Sequence, residues 1–124
     1  MVAGTAASRL PAELEMLVER VVAALQQEAV RYTAIGAAPK IEPSALQFVR
    51  VIDPGNQLPG YEGIWRNTRH DRCGSLTINS DNSFFAEYDL FCQHPRDPRW
   101  FVEMVTAWGD DESLRCEAKL IPCV

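Results

Sequence analysis

The chain lacks an excess of positive charge, and its acidic residues are unevenly placed. Its 124 residues carry 17 Asp and Glu against 12 Lys and Arg, which gives a formal net charge of −5. Residues 1–74 hold eight acidic and eight basic residues, whereas residues 75–124 hold nine acidic and four basic ones. A nucleic-acid-binding protein needs a basic surface to neutralise phosphates. We therefore expect no nucleic acid partner, and the acidic excess lies wholly in the second part of the chain.

Long apolar runs are also missing. No run approaches the roughly 20 residues that span a bilayer, and residues 1–8 have neither a charged n-region nor a sustained apolar h-region. These absences predict no membrane contact and a cytoplasmic location. A chain of 124 residues is long enough for one hydrophobic core. We expect a single domain over residues 1–124, with residues 1–9 flexible.

Motifs that carry chemistry are absent as well. The four cysteines, which form no C-x-x-C pair, are Cys73, Cys92, Cys116 and Cys123. In a reducing cytosol they are expected to be free thiols. A zinc site built from Cys92, His94 and another cysteine would match no structural zinc spacing. No phosphate-binding Gly loop, metal-binding helix or nucleophile elbow occurs. We expect no cofactor, no metal and no catalytic residue.

What is present first is an amphipathic helix near the N-terminus. Pro11 fits a first helical turn, and Glu13 follows where the helix dipole favours negative charge. The apolar residues at helical spacing are Leu14, Leu17, Val18, Val21, Val22, Leu25, Ala29 and Tyr32. Gly36 and then Pro39 end the helix. Such a helix is not stable alone, so it must pack on another element.

Four later segments alternate apolar and polar residues with period two, and turn residues separate them. They are Gly74–Asn79, Phe84–Phe91, Arg99–Trp108 and Ser113–Ile121. Two further strands are expected at residues 45–52 and 61–66, with Gly63 weakening the second. The predicted fold is α+β, with a long N-terminal helix packed on one face of a four- to six-stranded antiparallel sheet, a meander.

Alternation assigns these four segments to two faces, provided that no bulge shifts the register. The face expected to lie against the helix carries Leu76, Ile78, Phe84, Ala86, Tyr88, Leu90, Trp100, Val102, Met104, Thr106, Trp108, Leu114, Cys116, Ala118 and Leu120. The opposite face carries Ser75, Thr77, Asn79, Phe85, Glu87, Asp89, Phe91, Phe101, Glu103, Val105, Arg115, Glu117 and Lys119. Its charges are too costly to bury against apolar groups, so we expect it to face outward.

Carboxylates and aromatic rings of this opposite face form the candidate partner-binding site. The candidate residues are Phe85, Glu87, Asp89, Phe101, Glu103 and Glu117. One interpretation is a solvated sheet face, which antiparallel sheets commonly expose. The other is a docking surface for a basic protein, in which charge steers the approach and the rings supply buried area. A homodimer through this face is a third alternative, which repulsion between two acidic copies disfavours.

The basic stretch before the four segments supplies weaker candidates. The three arginines that could bind an anion are Arg66, Arg69 and Arg72, although such a run is more commonly a solvated loop. His70, Asp71 and Cys73 have the residue types of a catalytic group, but neighbours in sequence seldom point at one another. An enzyme or small-ligand binder would need a cleft between helix and sheet near Trp65, Arg69 and His70.

The segment Gly74-Ser75-Leu76-Thr77-Ile78-Asn79, an Asp/Asn turn and then Phe84-Phe85-Ala86-Glu87-Tyr88-Asp89, preceded by a long helix, resembles the small bacterial immunity proteins that neutralise secreted toxins. That resemblance implies a non-catalytic inhibitor that covers a partner's surface. Bacterial secretion chaperones are similar in size, acidity and helix-first order, but they usually end in a helix, whereas this chain finishes Leu120-Ile121-Pro122-Cys123-Val124. The expected function is protein binding of the immunity type, with a chaperone-like polypeptide binder as the alternative.

Overall fold

The structure is a computed structural model that describes residues 10–123, and it contains one long helix followed by six strands. The elements in chain order are helix α1 (Ala12–Arg31), a 3-10 turn (Pro43–Ala45), β1 (Gln47–Ile52), β2 (Pro59–Arg66), β3 (Arg72–Ile78), β4 (Phe84–Gln93), β5 (Trp100–Gly109) and β6 (Leu114–Pro122). The flexible segment expected at residues 1–9 lies outside the described residues.

Each strand pairs antiparallel with the next one, so the sheet order is β1-β2-β3-β4-β5-β6. The predicted α+β meander is confirmed, with six strands. Polar side chains close the hairpins by accepting backbone hydrogen bonds. The Asn67 side-chain oxygen accepts from the Arg69 N–H at 2.9 Å, and the Asp110 carboxylate accepts from the Glu112 N–H at 2.9 Å. These turns match the Asx chemistry expected of Asn and Asp.

Helix α1 packs across β4, β5 and β6. Its apolar stripe is buried, and Leu25 is completely so. Burying one such side chain is worth about 1.5–3 kcal/mol, so the stripe holds the helix on the sheet. Loops between strands also contact the helix. The Arg20 guanidinium donates to the Asp110 carbonyl at 2.9 Å, and Arg96 donates to the Arg31 carbonyl at 2.6 Å.

Aromatic rings fill the core beside the first three strands. The Trp65 ring is 2% exposed, its N–H donates to the Glu42 carbonyl at 2.9 Å, and it meets the Tyr88 ring edge to face. The Phe48 ring lies over Gly63, where an added Cβ would stand 2.7 Å from a ring carbon. Gly63 therefore makes room for an aromatic ring, and β2 continues through it from Pro59 to Arg66.

Bulges interrupt the pairing of β4, β5 and β6 at one level of the sheet. Between Asp89 and Cys92, β4 has two residues, Leu90 and Phe91, opposite a single residue of β5, Glu103. In the pairing of β5 with β6, Glu103 is an extra residue with no partner. Bulges bend a strand and re-aim the side chains that follow. The extra residue in β5 leaves Glu103 and the next residue, Met104, on the same face of the sheet.

The face assignment for the second half of β5 was therefore wrong. The residues that alternation placed against the helix but that face away from it are Met104, Thr106 and Trp108. Val105, which was assigned to the outward face, is completely buried in the core with Ala107. The physical reason is the extra residue at Glu103, because a shift of one residue flips every side chain beyond it. Phe101 lies before the shift and Glu103 lies at it, so both side chains stay on the outward face, as expected.

Candidate functional site

The face of the sheet opposite α1, which we call the outer face, has no helix or second sheet over it among residues 10–123. Residues that pair across antiparallel strands lie side by side on such a face. Read from β3 to β6, its rows are Thr77, Phe85, Trp108 and Arg115, then Ser75, Glu87, Thr106 and Glu117, and then, from β4 to β6, Asp89, Met104 and Lys119.

Three carboxylates converge near the bulge. Glu87 and Asp89 lie two residues apart on β4 and therefore share the outer face, and Glu103 joins them from β5. The pKa of Asp89 is raised, first by its partial burial and then by the negative charges of Glu87 and Glu103, while Arg72 offsets part of the effect. The three groups repel one another, so an external cation would relieve the repulsion.

Cations of the same chain balance this charge only in part. Arg72 lies 4.0 Å from the Glu87 carboxylate, and Lys119 lies 3.4 Å from that of Glu103. Both cations are largely exposed, and ion pairs of this kind contribute about 0–1 kcal/mol. Asp89 makes no ion pair or hydrogen bond within the described part of the chain. The charged residues of the outer face are Glu62, Glu87, Asp89, Glu103 and Glu117 against Arg66, Arg72, Arg115 and Lys119.

Apolar side chains stand among these charges. Phe85 is 47% exposed and pairs across the strands with Trp108. Phe91 is 60% exposed and lies in the bulge of β4. Phe101 is partly exposed and pairs with Ile121 on β6. The outer face therefore combines carboxylates with apolar area that water still contacts.

The sequence-based candidates are all on this face, but they are not equally close. Asp89 interacts electrostatically with both Glu87 and Glu103. Glu117 lies in the same row as Glu87, and Phe85 lies one row away. The remaining candidate, Phe101, lies beyond the bulge in the row of Gln93 and Ile121.

Sequence reasoning missed three apolar residues of the outer face. Trp108 and Met104 were assigned to the core because alternation gives no sign of the bulge. Phe91 was assigned to the outward face but was not chosen as a candidate. What distinguishes it is its backbone, whose φ of +46° is unusual for a bulky residue and cannot be read from a sequence.

The three arginines considered for anion binding have different surroundings. The Arg66 guanidinium donates to the carbonyl of His70 at 3.0 Å within its own hairpin loop. Arg72 is directed toward Glu87 on the outer face. Arg69 is exposed at the loop tip, where its backbone N–H donates to the side-chain oxygen of Asn67. Two of the three are thus occupied by acceptors of the same chain.

The cleft considered for an enzyme or small-ligand binder would lie beside Trp65. The indole of Trp65 fills the space between the sheet and the segment before β1. His70 is exposed in the loop between β2 and β3. A shallow groove of about 510 Å³ lies elsewhere, between the first half of α1 and the start of β1, with Val18, Leu46 and Phe48 among its lining residues.

The cysteines are free thiols with local roles in packing. Burial raises the pKa of Cys116 to about 12, with a smaller contribution from the charge of Glu28, and burial also raises the pKa of Cys92. The Cys92 thiol donates to the carbonyl of Tyr32 at 3.4 Å. Cys123 is exposed at the end of β6. The two shifted thiols stay protonated at neutral pH, which makes them poor nucleophiles.

Residues 10–123 contain no group of three or more His, Cys, Asp or Glu side chains arranged to hold a metal ion. The ring nitrogen Nδ1 of His94 accepts hydrogen bonds from the N–H groups of Arg96 and Asp97, both at 3.1 Å. The ring also meets Tyr32 edge to face. His94 thus shapes the loop between β4 and β5 against the end of α1.

No helix in the described part of the chain is long and apolar enough to cross a membrane. Comparisons of the chain with protein-family models, with curated proteins and with solved structures find no match.

Proposed function

We propose that this chain is a non-catalytic protein-binding domain whose outer face covers a basic surface of another polypeptide, as an immunity-type inhibitor does. The observation that carries the proposal is the convergence of Glu87, Asp89 and Glu103 beside exposed aromatic rings. A partner's cations would relieve the repulsion among the carboxylates, and the rings would supply apolar area to bury.

The size of the outer face suits this function. Six strands about 4.8 Å apart, each rising roughly 3.3 Å per residue, form a face roughly 24 Å wide and 25 Å long. A stable protein interface buries about 800 Å² on each partner. The projected area of this face is roughly 600 Å², to which the relief of its side chains adds, so a partner would have to cover nearly all of it. Charge complementarity would act chiefly on the rate of association, and the apolar residues chiefly on the lifetime of the complex.

The partner can be sought with genomic fragments of the source organism displayed on phage and panned against the purified chain. A double variant, Glu87→Lys with Glu103→Lys, serves for counter-selection. Fragments that bind the wild-type chain and reject the variant are expected to be basic. The proposal fails if no fragment is recovered, or if the recovered fragments bind both proteins equally.

The same double variant tests the mechanism quantitatively. Reversing both charges should slow association with the recovered fragment at least tenfold at low salt, by the usual size of electrostatic steering, and should weaken its salt dependence. A matched control is Glu42→Lys with Glu112→Lys, which changes net charge equally at exposed positions away from the outer face. Equal slowing by the control would mean that net charge, and not this cluster, directs binding.

The chaperone-like binder, the enzyme or small-ligand binder and the homodimer gain no support from a particular observation. The space beside Trp65, where the cleft of an enzyme or small-ligand binder was expected, is occupied by the indole of that residue. A homodimer through the outer face would bring two copies of the carboxylate cluster together, which like-charge repulsion opposes.

A further inference from the structure

The bulge of β4 presents one aromatic ring to solvent. Leu90 and Cys92, on either side of Phe91, both turn toward α1, since Leu90 packs on the core and the Cys92 thiol contacts the carbonyl of Tyr32. Phe91 therefore points from the outer face, and its side chain is 60% exposed. Most of the ring is left uncovered by residues 10–123.

The backbone at Phe91 is strained for the residue that occupies it. Its φ of +46° lies in the left-handed region, which glycine adopts readily and bulky residues avoid. The corresponding position of many bulges is glycine. A phenylalanine there is unfavourable for the isolated fold and gains little contact inside it. Departures of this kind from local preference are typical of functional sites.

Unpaired negative charge lies next to this ring. Asp89 is two residues away on the same face, and it makes no ion pair or hydrogen bond within the described residues. Glu103 lies opposite the bulge on β5, and Phe101 is two residues before it. The only ion-pair partner of Glu103 in this part of the chain is Lys119, at 3.4 Å and largely exposed. A ring and two carboxylates are thus open to a ligand that is both flat and cationic.

We infer that the bulge is a receptor for one arginine side chain of the partner, whose guanidinium stacks on Phe91 and pairs with Asp89 and Glu103. The inference rests on the proposed function and specifies the chemistry at its centre. Arginine fits better than lysine because the guanidinium is planar, stacks on aromatic faces and presents a fork of donors to carboxylates. The strongly hydrated lysine ammonium offers only a point charge.

The test is a titration of the ¹⁵N-labelled full chain, followed by NMR, with the peptide Ac-Gly-Arg-Gly-NH₂. The matched peptide carries citrulline, which has nearly the same shape as arginine but no charge. A lysine peptide is the third probe. The arginine peptide is expected to shift the backbone amides of Asp89, Phe91 and Glu103, the citrulline peptide to leave them unmoved, and the lysine peptide to bind more weakly.

Variants assign the interaction to particular groups. Phe91→Ala should weaken binding of the arginine peptide by about 3- to 30-fold, the range that cation–π contacts provide. Phe91→Gly should weaken it equally while raising the melting temperature above that of Phe91→Ala, because glycine relieves the backbone strain. An equal loss of binding in two variants that differ in stability is not a folding defect. Asp89→Asn should also weaken binding, whereas Glu13→Gln, with the same charge change on α1, should have no effect.

The outcomes separate this inference from the proposed function. Equal binding of the lysine and arginine peptides, or shifts centred on Phe85 and Trp108, would overturn the arginine receptor and leave the acidic docking face standing. Binding of the arginine peptide that is unchanged in Phe91→Ala would likewise overturn the arginine receptor alone. If arginine and citrulline peptides behave alike everywhere on the sheet, the outer face does not select cations, and both proposals fail.

Discussion

At the scale of single residues, two aspartates of this chain have opposite environments. Asp89 lies partly buried beside two other carboxylates, and its pKa is raised. Asp97 lies half-buried in the loop between β4 and β5, where the Arg99 guanidinium donates to it at 2.8 and 3.0 Å. Those bonds lower the pKa of Asp97 to about 2. One carboxylate therefore opposes folding in its charged form, and the other supports it.

Asp89→Asn is expected to raise the free energy of unfolding at neutral pH. The folded state holds the Asp89 proton more tightly than the unfolded state, whose pKa is near the ordinary value of 3.8. The destabilisation is therefore absent well below that pH and complete above the raised pKa. Urea unfolding should show the variant more stable than the wild type at pH 7 and equal to it near pH 3.

Asp97→Asn is a control, because its expected change in stability has the opposite sign. Its lowered pKa means that the carboxylate stabilises the fold above about pH 3.8 and loses that contribution as the pH falls through about 2. The variant should be less stable than the wild type at pH 7. If both substitutions change stability in the same direction at pH 7, the electrostatic description of Asp89 is wrong.

At the scale of elements, turns were predictable and the bulge was not. Asp, Asn, Gly and Pro between the strands have backbone preferences that the sequence displays directly, so each strand was located within a few residues. In β5 both faces carry apolar residues, such as Met104 and Val105, so alternation reads equally well in either register. Only the pairing of β5 with its neighbours β4 and β6 decides between the two registers.

The contact between β1 and β2 gives a prediction at the same scale. Gly63→Ala would place a methyl group 2.7 Å from the Phe48 ring, which is buried and cannot move freely. Overpacking of this kind costs about 1–3 kcal/mol. Urea unfolding should show that loss, and adding Phe48→Leu should restore part of it by removing the clash. A Gly63→Ala variant as stable as the wild type would mean that the ring has room to shift.

At the scale of the whole molecule, the charge asymmetry was visible in the sequence and the arrangement of the site was visible only in part. Counting charges located the acidic excess in the second part of the chain, and alternation assigned Glu87 and Asp89 correctly to one face. The left-handed backbone of Phe91 and the outward turn of Trp108 depend on where strands slip past one another. That slip is set by pairing between strands, which no single segment encodes.

The central claim is that the outer face, and not the helical side, contacts the partner. Hydroxyl-radical footprinting of the chain with the fragment recovered from the genomic display measures this directly, because it reports the exposure of individual side chains. Phe85, Phe91 and Trp108 should become protected in the complex. Met16, which is 73% exposed on α1, should be oxidised as before. Protection of Met16 with continued oxidation of Phe85 and Phe91 would contradict the account.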